Sequence, residues 1–344
     1  MFGANAAHTA RVPSVAGKLA GQRWRIDNLL AANAPAIGAD GSVYIVNIGG
    51  ADARIVKLVS AFTDAGLPAF EWARGLGGRS RATPAVAANG NVFVTSDKGL
   101  TAISSNGAVF FELPVGGDSS PVLGLDGTVY VMDEALHAVD PAGFVRWSYP
   151  LGRRVGRKHE AVALDEKGVV YAVRDGLHAV SPSGVRLWRN DAIDGSLAPP
   201  PVIYGDEIYV ASGLDLVAVS LSTHGIVWRA KVSGGLGASP AVSAGGELYY
   251  VCGTALCITQ SGNGLGDPEP SRVHIERPLQ PAIDGDDRVL VTDGIEESRQ
   301  VVLVRRQAIL ASDFSSPNVP VVGISIAADG TVLAGTDSLK AFKP

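Results

Sequence analysis

Two short segments of the chain concentrate positive charge in a pattern suited to binding an anion. The basic side chains that we predict to contact a partner are Arg79, Arg81, Arg153, Arg154, Arg157 and Lys158. Guanidinium groups hold carboxylates and phosphates through paired hydrogen bonds, so these clusters favour a protein or another anionic ligand as partner. The competing interpretation is solvated charge that nearby turn aspartates neutralise.

Those turn aspartates raise the question of a metal site. They are Asp97, Asp133, Asp175, Asp293 and Asp337. Several carboxylates together would suit calcium, but an Asp in a turn also caps local backbone amides. Turn chemistry explains the pattern better, so we predict no metal site. Asp133 and Asp175 would be the acids of the alternative function, an enzyme acting on a small molecule or carbohydrate.

The remaining reactive side chains give no catalytic signature. His137 and His178 occupy equivalent Leu-His-Ala-Val positions, where we expect the solvated side of a strand rather than a catalytic pair. Cys252 and Cys257 flank a predicted hairpin turn. They are compatible with a disulfide or with two half-buried thiols, and they lack the further ligands that a zinc site needs. No nucleophile elbow or phosphate-binding glycine loop occurs, so no catalytic residue is predicted.

The element that must position these side chains is a repeat, clearest over 120–147. Turn residues, among them Asp126-Gly127, split this stretch into four short β-like runs, and Asp-Gly between β-branched runs is a strong hairpin signal. Openings such as Pro84-Ala85-Val86 recur about every 40 residues, which is the length of a four-stranded propeller blade. Eight units can be counted, the last starting near Ile324.

Large aromatic residues close most units and predict packing between blades. We assign this structural position to Trp24, Trp72, Phe110, Trp147, Trp188 and Trp228. Trp24 precedes the first complete unit, and the last unit lacks a closing run. The expectation is therefore an all-β, eight-bladed propeller whose N-terminal strand completes blade eight and removes exposed edges.

The domain boundaries follow from this repeat. We predict one domain over 1–344, with a leading segment and closing strand at 1–26, blades one to seven at 34–323 and the rest of blade eight at 324–344. A net charge of -5 and a pI near 5.7 argue against a nucleic-acid partner. No apolar run is long enough to span a membrane, the chain as given carries no signal peptide, and we expect a monomer.

The sequence also resembles a known family. The run from Phe2 to Arg11, then Ala34-Pro35-Ala36-Ile37, and Leu136 to Trp147 are similar to motifs of the pyrroloquinoline-quinone-like propeller repeat family. That family includes quinoprotein dehydrogenases and a scaffold lipoprotein of outer-membrane barrel assembly. The resemblance covers essentially the whole chain and implies a periplasmic or extracellular location.

The resemblance does not carry the quinone chemistry with it. The dehydrogenases would imply two adjacent cysteines over the cofactor and a calcium site, whereas Cys252 and Cys257 are separated. We therefore expect no cofactor and regard quinone-dependent oxidation as improbable. The predicted function is a non-catalytic binding or scaffold propeller that presents loops around a channel mouth to a protein or anionic partner.

Overall fold

The computed structural model describes residues 22–62, 66–117, 119–152, 160–195, 199–232, 235–236, 238–261, 271–274, 281–293, 300–305, 308–314, 323–335 and 338–342. Within these ranges every regular element is a β-strand, and the strands pair antiparallel into eight four-stranded sheets. No helix that could cross a membrane occurs among the same residues.

The chain divides into two compact units, and four sheets belong to the first, which comprises mainly Pro13–Ser148 and Val319–Pro344. Three of its sheets follow the chain directly, and the fourth joins β1 to the last three strands. The strands are β1 (Gln22–Asp27), β2 (Ala36–Ile37), β3 (Val43–Asn47), β4 (Arg54–Phe62), β5 (Pro68–Gly75), β6 (Ala85–Val86), β7 (Val92–Ser96), β8 (Gly99–Ile103), β9 (Val109–Leu113), β10 (Val122–Leu123), β11 (Val129–Met132), β12 (Ala135–Val139), β13 (Val145–Pro150), β30 (Gly323–Ile326), β31 (Val332–Gly335) and β32 (Ser338–Phe342).

The second unit, mainly Tyr149–Asn318, holds the other four sheets, each built from four consecutive strands. Its strands are β14 (Ala163–Leu164), β15 (Val170–Val173), β16 (Leu177–Val180), β17 (Arg186–Asn190), β18 (Val202–Tyr204), β19 (Glu207–Ser212), β20 (Asp215–Ser220), β21 (Ile226–Lys231), β22 (Ala241–Val242), β23 (Glu247–Val251), β24 (Ala255–Gln260), β25 (Ser271–His274), β26 (Ala282–Ile283), β27 (Val289–Asp293), β28 (Gln300–Arg305) and β29 (Ala308–Phe314).

A turn aspartate caps the first hairpin in several of the sheets. In the sheet of β10–β13, Asp126 Oδ1 accepts the backbone N–H of Thr128 at 3.0 Å, and Gly127 adopts a φ of 81°. Asp40 and Asp329 accept the N–H two residues further on in the same way. A short carboxylate replaces a backbone acceptor in such a turn, and glycine takes the left-handed conformation without steric strain.

The hydrophobic core lies between sheets rather than within one. In the first unit, Tyr44 and Trp72 of one sheet cluster with Val92 and Ile103 of the next. In the second unit, Trp228 clusters with Leu248 of the following sheet. Sheets that cover each other face to face in this way bury both surfaces of their middle strands. The fold is an all-β propeller with four-stranded blades, as the sequence predicts.

One assignment of an interblade aromatic residue was wrong. Phe110 is 41% exposed, whereas Phe111 packs against the core between its sheet and the next. A bulge between Ala102 and Ile103 shifts the register, so that Phe111 faces Ala102 just as Trp188 faces Ala179 in another sheet. Trp24, Trp72 and Trp228 are buried as expected, while Trp147 and Trp188 are half-buried.

The first and last described strands share a sheet. β1 pairs antiparallel with β32, and Trp24 faces Ala341 across the ladder. The Trp24 ring packs with Leu333 and Leu339 of its own sheet and with Val43 and Ile45 of the neighbouring one. The N-terminal strand therefore completes the sheet of β30–β32, as expected from the aromatic pattern. The single-domain boundary over 1–344 remains a prediction.

Candidate binding site

The connection between β5 and β6, residues 76–84, presents two of the predicted basic side chains. Arg79 and Arg81 are exposed, while Ser80 and Ala82 between and after them are 1% and 0% exposed. Alternation of exposed and buried residues is the period of extended backbone. Both arginines therefore leave the connection on its solvent side while their neighbours anchor it in the core.

The backbone of this connection is held at both arginines. Asp97, in the turn between β7 and β8, donates its N–H to Arg79 O at 2.8 Å and accepts the Arg79 N–H on Oδ1 at 3.1 Å. Asn33 Nδ2 donates to Arg81 O at 3.3 Å, and Thr83 N donates to Ser120 Oγ at 3.0 Å. The connection is thus tied to the turn of its own sheet and to the segments that lead into the adjacent sheets.

Glycine makes the closest of these approaches feasible. A Cβ atom at Gly78 would lie 2.0 Å from Asp97 Oδ1, far inside van der Waals contact. Any larger residue there would displace either the carboxylate or the connection, because the turn and the connection are joined by backbone hydrogen bonds. Gly75, at the end of β5, has open space in the Cβ direction.

Local charge around the connection is positive. Lys98 and Asp97 are both exposed beside Arg79, and exposed Asp52 precedes Ala53, whose N–H binds Gly78 O, so three cations stand near two carboxylates. The Asp97 carboxylate accepts the backbone N–H of Arg79, which belongs to a connection 18 residues away rather than to the local turn that we predicted it to cap. Arg74 does not join this group, because it lies on β5 and its Nε donates to Gly107 O. The cluster of Arg153, Arg154, Arg157 and Lys158 lies outside the described residues.

A second polar cluster links an outer strand to a turn. His137 Nε2 lies 2.8 Å from Asp133 Oδ1, and His137 Nδ1 lies 2.8 Å from Ser148 Oγ. Asp133 also accepts the N–H groups of Gly116 and Ala135. Burial opposes ionisation of Asp133, but these two amides and the His137 ring lower its pKa below the ordinary value. The carboxylate is therefore an ionised structural acceptor, which is unsuited to the role of a general acid.

The equivalent histidine of the second unit has a similar environment. His178 Nε2 lies 3.3 Å from Asp175 Oδ1, and the hydroxyl of Tyr149 lies 3.1 Å from His178 Nδ1. His178 is 2% exposed and His137 is 9% exposed. Our prediction that both lie on a solvated side was wrong. Both stand on third strands, where their side chains are held in polar contacts and almost wholly covered.

Acidification should destabilise the protein through His178. Burial lowers the pKa of His178 below its ordinary value of 6.5, so between that lowered pKa and 6.5 the unfolded chain binds more protons than the folded one. The free energy of unfolding then rises with pH through this window, and the full contribution of neutral His178 is present above it. We expect His178→Gln to reduce the pH dependence of the urea-unfolding midpoint between pH 5 and 7. Tyr149→Phe keeps the imidazole and should show the same pH dependence as wild type. Equal slopes in wild type and His178→Gln would contradict the assignment.

One position of the repeat ties each sheet to the connection that precedes it. At the end of the second strand, Ser96 Oγ donates to Leu76 O, Asp133 accepts the Gly116 N–H, and Ser212 Oγ accepts the Asp194 N–H. Arg174 occupies this position in the sheet of β14–β17.

Sequence reasoning missed the ion pair that Arg174 forms. Its Nη2 lies 3.0 Å from Glu160 Oε2, with side chains only 4% and 13% exposed. The sequence did offer one signal: Arg174 stands at a repeat position where other units carry a short polar residue, so it was a candidate for a buried ion pair. Such a buried pair fixes the connection in place, and breaking it by removing one partner is strongly destabilising.

The cysteines form a disulfide. Cys252 and Cys257 are bonded across the turn between β23 and β24, with Cα atoms 5.9 Å apart. The adjacent cysteine pair that the quinone-dependent relatives imply is therefore not formed by these residues. Among the described residues no group of three His, Cys, Asp or Glu side chains could hold a metal ion. The donor set of the described residues therefore does not fit the quinone–calcium group.

Solved structures with the same fold include BamB and two dehydrogenases. BamB from Moraxella catarrhalis is 14% identical, with a TM-score of 0.69 over 94% of this chain and 99% of that one. A europium-containing methanol dehydrogenase is 11% identical, with a TM-score of 0.71 over 97% and 88%. The quinohemoprotein alcohol dehydrogenase from Comamonas testosteroni is 10% identical, with a TM-score of 0.73 over 99% and 79%. At such identities the likeness establishes the fold alone.

Sequence comparison gives a narrower placement. No curated protein matches the chain, but the family described as outer membrane protein assembly factor BamB matches residues 20–177 and 167–265. Together these matches extend over well more than half of the chain. The protein therefore belongs to the family of the outer membrane protein assembly factor BamB, one of the families built from pyrroloquinoline-quinone-like propeller repeats.

Proposed function

We propose that this protein is a non-catalytic binding or scaffold propeller that holds a partner protein through acidic groups on that partner. The observation that supports this is the connection 76–84, where exposed Arg79 and Arg81 alternate with buried residues. The undescribed cluster of Arg153, Arg154, Arg157 and Lys158 is proposed to act in the same way. The partner is a protein rather than a nucleic acid, because the net charge is -5.

The fixed backbone of the connection 76–84 should increase its affinity for an acidic partner. Hydrogen bonds from Asp97 and Asn33 fix the backbone at both arginines before any partner arrives. A preorganised loop loses little conformational entropy on binding, and desolvated guanidinium–carboxylate pairs are the strong members of such an interface. The local excess of positive charge would also speed the encounter with an acidic partner.

The proposed location is the cell envelope or the extracellular space. Membership in the BamB family supports an envelope location, and so does the Cys252–Cys257 disulfide, because disulfides persist in oxidising compartments. We further propose that the eight sheets form one closed, eight-bladed, monomeric ring. Pairing of β1 with β32 supports the closure.

The alternative function, an enzyme that uses Asp133 and Asp175 as catalytic acids, is not favoured by the contacts of these two residues. Asp133 is held by two backbone amides and His137, and Asp175 lies beside His178 and Arg189. Each of these contacts joins elements of the fold, so both carboxylates have structural roles.

Charge reversal at the connection tests the proposal. We expect Arg79→Glu/Arg81→Glu to weaken retention of the partner in a pull-down from an envelope extract by at least about tenfold, because each lost charge pair becomes a repulsion. The matched control, Lys167→Glu/Arg186→Glu, changes the net charge equally at two exposed sites on other elements and should retain the partner. Equal retention by both double variants would contradict the proposed surface.

A further inference from the structure

We infer that the connection 76–84 recognises an extended peptide segment whose carboxylates stand at alternate positions, acid-x-acid. The inference rests on the proposed function and adds the chemistry and spacing of the partner. It starts from the placement of Arg79 and Arg81, which are separated by one buried residue on a backbone that is fixed at both ends.

The spacing of the two cations selects the ligand. Residues two apart on extended backbone lie about 7 Å apart and project to the same side. A second extended segment has the same repeat, so carboxylates at alternate positions can each face one guanidinium. Adjacent carboxylates project to opposite sides of an extended segment, and only one of them could pair.

Helical and single-anion ligands fit this arrangement less well. An acidic pair at i and i+4 of a helix repels itself and destabilises that helix, which disfavours a helical ligand that presents two carboxylates on one side. One phosphate offers a single anionic group, whereas two carboxylates give each guanidinium its own bidentate acceptor.

Guanidinium geometry sharpens the selection. Each arginine can grip one carboxylate through two parallel hydrogen bonds, whereas a lysine ammonium acts as a point charge without that orientation. Arg79→Lys/Arg81→Lys should therefore keep the attraction to acidic peptides but lose the preference for alternate spacing. Gly78→Ala should reduce the same preference without altering charge, since its Cβ would displace Asp97 or the connection.

Two isomeric synthetic peptides test the inference on the full chain. One reads Gly-Ser-Glu-Ser-Glu-Ser-Gly and the other Gly-Ser-Ser-Glu-Glu-Ser-Gly, each labelled for fluorescence anisotropy at 0.15 M salt. Wild type should bind the alternating peptide about tenfold more tightly, as expected when two oriented ion pairs replace one. Gly75→Ala and Lys167→Glu/Arg186→Glu should keep that ratio. Arg79→Gln/Arg81→Gln, whose thermal unfolding is checked in parallel, should abolish it.

Several results would overturn the inference. These are equal affinities for the two peptides in wild type, a ratio that persists in Arg79→Gln/Arg81→Gln, or competition by inorganic phosphate stronger than that of the alternating peptide. The proposed function fails separately, if the double charge reversal leaves partner retention unchanged. Loss of the partner together with equal peptide affinities would reject the spacing rule and keep the binding surface.

Discussion

Deletion of residues 1–27 should unfold or aggregate the protein. The deletion removes β1, and with it the ladder to β32 and the buried ring of Trp24. Loss of one buried Trp side chain alone costs about 3–5 kcal/mol, and the missing strand adds its backbone hydrogen bonds to that loss. Strand β32, with Leu339, Ala341 and Phe342 buried in the intact sheet, would become an edge open to other chains. Light scattering and size-exclusion chromatography would measure the outcome.

Two controls separate strand pairing from the rest of the deleted segment. Arg23→Ala in the full chain keeps the strand but removes the ion pair with Asp329 and the hydrogen bond to Thr331 Oγ1, which should cost about 1–2 kcal/mol. A synthetic peptide of residues 20–29, added during refolding of the truncated chain, should restore soluble protein by supplying the strand. A soluble truncated monomer with an unchanged unfolding midpoint would show that β1 is dispensable.

The strand pairing that this prediction relies on could be read from the sequence. Recurrent openings such as Pro84-Ala85-Val86 place the short first strands, and Asp-Gly pairs place the first turns. Both signals are local, because a turn depends on the φ preference and side-chain acceptor of its own residues. Trp24 was informative for a different reason, since it stood at a repeat position with no complete unit around it.

Burial of the third strands could not be read in the same way. The rule that one side of a strand is solvated holds for a sheet with one free face, whereas the side chains of His137 and His178 are almost wholly buried. The choice between Phe110 and Phe111 failed because two adjacent rings offered themselves, and the bulge that sets the register here also occurs in the sheets of Trp188 and Trp228. In two other units the Trp follows the turn glycine by four residues, as Trp147 follows Gly143 and Trp188 follows Gly184. The same spacing from Gly107 gives Phe111, so an alignment on the turn glycine would have identified the correct ring.

The polar partners of the site depend on contacts between distant segments. Nothing near Arg79 in the chain indicates that Asp97 and Asn33 hold its connection, because these contacts join elements 18 and 48 residues apart. The same holds for Ser148 beside His137, which follows from the register of two strands. A sequence can show which residues are able to bind an anion, but the rigidity of their backbone emerges only from the packed sheets.

Trp228→Ala should lower the free energy of unfolding by about 3–5 kcal/mol, because it removes a large ring and leaves a cavity that the sheets cannot close. Trp228 is 5% exposed, its ring centroid lies 5.9 Å from that of Tyr209, and it clusters with Leu248 and Tyr250 of the next sheet. The ring therefore contributes to two sheets at once, and its loss weakens the contact between them. Urea unfolding followed by far-UV circular dichroism would measure the change.

A matched aromatic substitution shows that the expected loss comes from burial between sheets. Phe144 lies in the turn between β12 and β13 and is 71% exposed, so Phe144→Ala should change stability by less than about 1 kcal/mol. The stability loss of Trp228→Phe should lie between those of Trp228→Ala and Phe144→Ala, because a smaller ring keeps part of the contact with Tyr209. If Trp228→Ala instead lost no more than Phe144→Ala, the aromatic position of the repeat would contribute little to the packing of one sheet on the next. The repeat would then owe its regular spacing to turn chemistry alone.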